Sequence, residues 1–214
     1  MARSRRQLSP LYFIADVDTA RRLEVDLVDA VREFVRAGGR MVSLRCSGGD
    51  DRYLVDAGIE LAGLLTSVRG HFLVHRRVDI AILSGADGVH LPSKGLSPSE
   101  VRNLVGGSVV LGRSCHDRDE IARCSGGRCT FATLGPCFES VSKPGYGPGI
   151  SLDEFAEISA DAEVDVYALG GVLPENLFEV IDAGAAGVAV VGGILGADSP
   201  FDATRAYIDA LSAA

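Results

Sequence analysis

The chain has 214 residues, 47% of them hydrophobic, which is the size of one compact domain and too little for two independent ones. A formal net charge of −8 and a pI near 5.0 exclude a general nucleic-acid surface, which needs a basic face. No apolar run approaches the ~18 residues of a membrane span, and five cysteines without framework spacing fit a reducing compartment rather than a disulfide scaffold. The expectation is a cytoplasmic protein with neither nucleic-acid nor membrane partners, with assembly into a homo-oligomer left open.

In chain order, the basic residues 1–10 read as a flexible extension. The apolar stretch that follows meets Asp16 and Asp18 too soon to serve as an export signal. From residue 11 a short apolar β-type run alternates with a longer helical pattern. Strands are expected at 11–16, 41–45, 72–75, 88–91, 109–112, 130–135, 166–170 and 187–192, short and apolar as strands buried on both faces should be. Helices are expected at 25–37, 52–68, 98–104, 152–158, 175–183 and 202–213, where apolar residues recur at three- and four-residue spacing. Pro98 and Pro174 sit where a first helical turn would begin.

Glycines at 38–39, 85, 126–127 and 184 each close a helical pattern just before a strand, in the left-handed cap that glycine favours. Eight such units in 214 residues predict a single closed (β/α)8 barrel, a TIM barrel, over residues 1–214 rather than an open doubly wound sheet. The longest irregular segment, 136–150, would then be the loop after the sixth strand, on the active-site face.

In that register the residues just past each strand gather at one mouth. They are Arg45, Cys46 and Ser47; His75, Arg76 and Arg77; Pro92, Ser93 and Lys94; Arg113, Ser114, Cys115 and His116; and Glu139, Ser140, Ser142 and Lys143. Cations and hydroxyls in such a ring suit a phosphate monoester, although charged loop ends are also common on a solvated rim. The seventh and eighth strands each end in a glycine pair, Gly170-Gly171 and Gly192-Gly193. Backbone without side chains lets N–H groups approach an anion, and these two loops are the usual phosphate site of the fold. His116, at the mouth, is the acid–base candidate. Cys46, Cys115 and Cys137 are expected near it, whereas Cys124 and Cys129 are placed at the opposite end. No histidine has zinc-site spacing.

These residues resemble the thiamine phosphate synthase and TenI superfamily over nearly the whole chain. Arg77-Val78-Asp79-Ile80-Ala81 with Gly85-Ala86-Asp87-Gly88-Val89-His90-Leu91 is similar to its strand-three to strand-four signature. Leu111-Gly112-Arg113-Ser114-Cys115-His116, Leu134-Gly135-Pro136-Cys137-Phe138, Ser140-Val141-Ser142-Lys143-Pro144-Gly145 and both glycine turns are similar to its later motifs. The departures lie at the metal site. Where the synthases carry Asn-Asp-Arg after strand three this chain has His75-Arg76-Arg77, and Leu91-Pro92-Ser93-Lys94-Gly95 lacks their second magnesium aspartate. Magnesium needs oxygen ligands.

The resemblance therefore implies the TenI branch, and with it a metal-independent isomerase that shifts a proton on a carboxythiazole phosphate, with no cofactor. On that branch His116 moves the proton. Gly170, Gly171, Gly192 and Gly193 hold the phosphate, and Arg45, Ser114, Ser140, Ser142 and Lys143 complete the substrate site. Two alternatives stand beside it. One is a thiamine phosphate synthase, a transferase joining thiazole phosphate to hydroxymethylpyrimidine pyrophosphate, with magnesium held by acids such as Glu139. The other is a catalytically inactive barrel that binds a thiamine precursor and regulates a partner.

Overall fold

The computed structural model describes residues 7–126, 128–139 and 149–214. Strands β1 (Leu11–Asp16), β2 (Met41–Arg45), β3 (His71–His75), β4 (Gly88–Leu91), β5 (Val110–Cys115), β6 (Phe131–Leu134), β7 (Asp165–Leu169) and β8 (Gly187–Val190) pair in parallel, each with the next. β8 returns to β1, with Leu11 opposite Val188, and the barrel closes. Helices α1 (Val17–Arg22) and α2 (Leu27–Arg36) follow β1; α3 (Asp51–Ser67), α4 (Val78–Ser84), α5 (Pro98–Val105), α6 (Arg118–Ala122), α7 (Leu152–Asp161) and α8 (Leu177–Asp182) follow β2 to β7 in turn. After β8 come α9 (Gly192–Leu195) and α10 (Pro200–Ala213). The expected single (β/α)8 barrel is the fold.

Alternation along the strands divides the apolar residues into two cores. Tyr12, Ile14, Met41, Leu73, Phe131, Tyr167 and Ala189 fill the barrel interior, with Phe131 edge-on to Tyr12 at 5.5 Å. Their strand neighbours Phe13, Val42, Leu44, Val74 and Leu111 face outward and pack with Phe34, Leu61, Leu65 and Phe155 of the helices. The residues before β1 are tied to the barrel floor: Val188 N–H donates to Pro10 O at 2.8 Å and the Tyr167 hydroxyl to Ser9 O at 2.9 Å.

Helix starts follow their capping side chains. Asp26, Asp50, Ser97, Asp117, Ser151 and Ser199 each accept a backbone N–H in the first turn, and Ser97 with Glu100 forms a full capping box around Pro98. Pro174 does not open a helix. α8 begins at Leu177, because Asn176 uses its side chain on the preceding turn instead, accepting from Leu173 N at 2.8 Å and donating to Gly171 O at 3.1 Å.

β5 runs to Cys115 rather than ending at Gly112, since Ser114 and Cys115 still pair with Thr133 and Leu134. β8 stops at Val190 because α9 starts in the second glycine pair. α1, α4, α6 and α9 have four to seven residues each and had no sequence expectation. So short a segment shows too little of a 3.6-residue period to be read.

Candidate active site

The carboxyl ends of the strands surround a cavity of about 420 Å³, within the range of small-ligand sites. Of the expected site residues, Arg45, Ser114, His116, Gly170, Gly171, Gly192 and Gly193 all line it. Ser140, Ser142 and Lys143 lie outside the described residues.

Several members of the expected ring belong elsewhere. Arg113 points out of the barrel because it is a β5 residue of outward parity; it is buried, and its Nη2 donates to Ser93 O at 2.9 Å. Arg77 forms ion pairs with Asp51 and Asp79 on the helix side of the strand, each at 2.6 Å. Arg76 is exposed with a left-handed backbone at φ 68°, and neither it nor Lys94 is among the cavity-lining residues.

The cysteines meet the expectation in part, since Cys115 lines the cavity with His116. Cys115 and Cys124 are not at opposite ends, for their sulfurs are 3.7 Å apart between β5 and α6. The Cys115 thiol is held above its ordinary pKa by the hydrogen bond with Cys124 and then by burial. Cys137 is buried, which pushes its thiol up to about 12, and Cys46 bonds Gly48 O. The settings of Cys115 and Cys137 disfavour a thiolate nucleophile at either position.

Sequence reading overlooked the contribution of β1. Asp16 is 5% exposed, caps α1 through Thr19 N–H at 2.8 Å, and pairs with Arg45 Nε at 3.4 Å. Asp18 accepts from Ser47 N–H at 2.8 Å, a bond that lowers its pKa. The first carboxylate therefore aims the Arg45 guanidinium, and the second ties the β2 loop to the β1 loop. Asp16 ends the first expected strand and Asp18 follows it, so position was the available signal; their engagement with Arg45 and Ser47 was visible only in the folded chain.

His75 and His90 stack at 5.3 Å with rings 17° apart, and both line the cavity. Burial, then the charge of Arg45, lowers the His75 pKa to about 4. Burial, then His75 and Arg45, takes His90 well below the ordinary 6.5. Neither imidazole carries charge at neutral pH. His116 differs: its side chain is 45% exposed, and Glu120 Oε2 lies 3.0 Å from Nδ1 and 2.8 Å from its backbone N. One carboxylate thus orients the ring and leaves Nε2 available for proton transfer.

The glycine turns form the opposite wall. Gly171 has φ 63°, and a Cβ there would stand 2.4 Å from Glu139 O. A Cβ on Gly193 would stand 2.1 Å from the Tyr207 hydroxyl, which donates to Val172 O at 2.9 Å. Tyr207 so joins the β7 and β8 turns. Gly192 and Gly193 open α9, where the first N–H groups of a helix have no intrahelical acceptor. This is the arrangement that binds phosphate in barrels of this kind.

Magnesium, which the synthase alternative would use, needs oxygen ligands. Asp16 and Asp18 are engaged as described and Glu120 holds His116. Among the described residues no group of three or more His, Cys, Asp or Glu side chains is arranged to hold a metal ion. No described helix is long and apolar enough to cross a membrane.

Together the closed barrel and its polar cavity at the strand ends define a small-molecule (β/α)8 barrel of the enzyme type. A family model described as thiamine monophosphate synthase matches residues 11–194, and the chain belongs to that family. It is 32% identical over 186 residues to the thiamine-phosphate synthase of Roseiflexus castenholzii, covering 87% of this chain and 82% of that one. It is 32% identical over 205 residues to the thiamine-phosphate synthase of Methanoculleus marisnigri, covering 95% and 96%. Its fold matches a thiamine phosphate pyrophosphorylase from Pyrococcus furiosus with a TM-score of 0.83 and 25% identity over 95% of each chain. The two sequence relatives carry the synthase name, which favours the transferase alternative over the expected isomerase.

Proposed function

We propose that this chain is an enzyme of thiamine biosynthesis that joins a phosphorylated thiazole to hydroxymethylpyrimidine pyrophosphate. The observation that carries the reading is one cavity that brings Arg45 and Ser114 together with both glycine pairs, in a chain whose relatives of similar length are named as synthases. In the reaction the thiazole nitrogen attacks the pyrimidine methylene carbon. The carbon–oxygen bond to pyrophosphate breaks, and its electron pair leaves with pyrophosphate. Gly170, Gly171, Gly192 and Gly193 hold the thiazole phosphate by backbone N–H groups, which orients the ring nitrogen. Arg45, aimed by Asp16, and Arg22 at the rim meet the charge that develops on the leaving group. In this reading protein cations supply the charge compensation at the leaving group.

A second reading is favoured by the oriented His116 together with the missing metal acids. It is the 1,3-proton shift on a carboxythiazole phosphate, with His116 taking the proton from one carbon and returning it to another. One experiment tests both readings. The purified protein is offered thiazole phosphate with pyrimidine pyrophosphate, and separately the non-aromatic carboxythiazole phosphate, each with magnesium and each with a chelator. Pyrophosphate release that persists in the chelator is the expected result. Turnover of the carboxythiazole alone would replace the first reading by the second, and no turnover of either would leave a binding protein.

A further inference from the structure

A chain of buried polar groups runs from the barrel interior to the cavity: the Tyr12 hydroxyl lies 3.1 Å from His90 Nδ1, and His90 Nε2 lies 3.0 Å from Ser114 Oγ. Tyr12 and His90 are almost wholly buried, while Ser114 is half-buried and lines the cavity. A neutral imidazole has one N–H and one lone pair, so the direction of the first bond dictates that of the second. Two directions are conceivable. In one, Tyr12 donates to Nδ1, Nε2–H donates to Ser114, and the serine proton is left for the cavity. In the other, Ser114 donates to Nε2 and offers the cavity only lone pairs.

The surroundings choose between them. Burial holds the Tyr12 phenol protonated, far above its ordinary range, so its O–H needs an acceptor. The nearby Ser43 Oγ has no partner of normal hydrogen-bond geometry, and it acts on the phenol in the direction that lowers its pKa, as a donor to the phenol oxygen does and an acceptor of its proton does not. His90 Nδ1 remains. We infer that Tyr12 and His90 act as a positioning pair that fixes the Nε2–H tautomer and thereby makes Ser114 a permanent hydrogen-bond donor, aimed at an anionic oxygen of the ligand. The same tautomer means that Ser114 is not a base-activated nucleophile, since His90 presents it a proton and no lone pair. The stack with His75 holds the His90 ring in plane. The inference rests on the reading of this cavity as one that takes a phosphate ester.

The test begins on the ligand-free protein. A long-range proton–nitrogen NMR spectrum, with His90 assigned from the His90→Gln variant, should show Nε2 protonated and Nδ1 bare. Protonation at Nδ1 would overturn the inference at once. Tyr12→Phe, which keeps the ring, should shift the tautomer and weaken binding of thiazole phosphate about tenfold, the scale of one hydrogen bond to a charged group. Ser114→Ala should cause a similar loss, and the double variant should lose no more than either single one. A shifted tautomer with unchanged affinity would overturn the inference, as would fully additive losses. Should turnover fail while this pattern holds with thiazole phosphate as a plain ligand, the functional reading falls and the positioning role stands.

Discussion

The two walls of the cavity are built on different principles. The wall at β7 and β8 is backbone: Gly170, Gly171, Gly192 and Gly193 line it without side chains, and Asn176 and Tyr207 hold the turns from behind. The wall from β1 to β5 is side chain: Arg45, His75, His90, Ser114 and His116, each aimed by a partner. A backbone wall cannot change its charge, and it tolerates almost no substitution. A side-chain wall can be retuned one residue at a time, which is where this chain departs from the synthase pattern.

That contrast can be broken most severely at Gly171. Alanine there meets Glu139 O and a left-handed backbone, for which strain of ~1–2 kcal/mol and overpacking of ~1–3 kcal/mol are expected. Denaturant unfolding should show a loss of roughly 2–5 kcal/mol together with loss of ligand binding. A fully stable, fully binding Gly171→Ala would show that the backbone wall is not rigid.

On the opposite wall, His116→Ala should leave stability nearly unchanged, because the ring is exposed and only its bond to Glu120 is lost. If the proton-shift reading holds, steady-state kinetics should show kcat falling roughly a hundredfold. Under the coupling reading the loss should be small, so this variant also sharpens the choice between reactions.

Acid should act on the side-chain wall alone. His75 titrates near 4 in the folded chain against an ordinary 6.5. Between these values the unfolded chain binds a proton that the folded chain refuses, so stability is full above about pH 6.5 and falls as pH drops toward 4. The expected loss is on the order of 2–3 kcal/mol. His90, depressed in the same direction, adds to it. Unfolding midpoints measured across that range should flatten in His75→Asn; an unchanged slope would locate the acid sensitivity elsewhere.

The mildest break is Asn176→Ala. It removes the bonds to Leu173 N and Gly171 O and should cost about 1–2 kcal/mol. Affinity for inorganic phosphate should fall with it, as the β7 turn loosens. A drop in stability without a drop in affinity would separate the turn from the anion site.

Legible in the sequence were the eight strands, the bounds of β1, β2 and β4, and the glycine pairs that follow the last two strands. Runs of buried apolar residues and glycine caps are local signals, and they survive without knowledge of the fold. His116, Arg45 and Ser114 could be placed at the mouth because strand ends share one rim in this architecture. Which way each side chain faces was decided only by the tertiary structure. β5 runs through Cys115, so alternation sends Arg113 outward and Ser114 inward. The pairing of Asp16 with Arg45, the stack of His75 on His90 and the Tyr12–His90–Ser114 chain join residues far apart in the sequence. Closure of the barrel brings them together, and no periodicity along the chain records that closure.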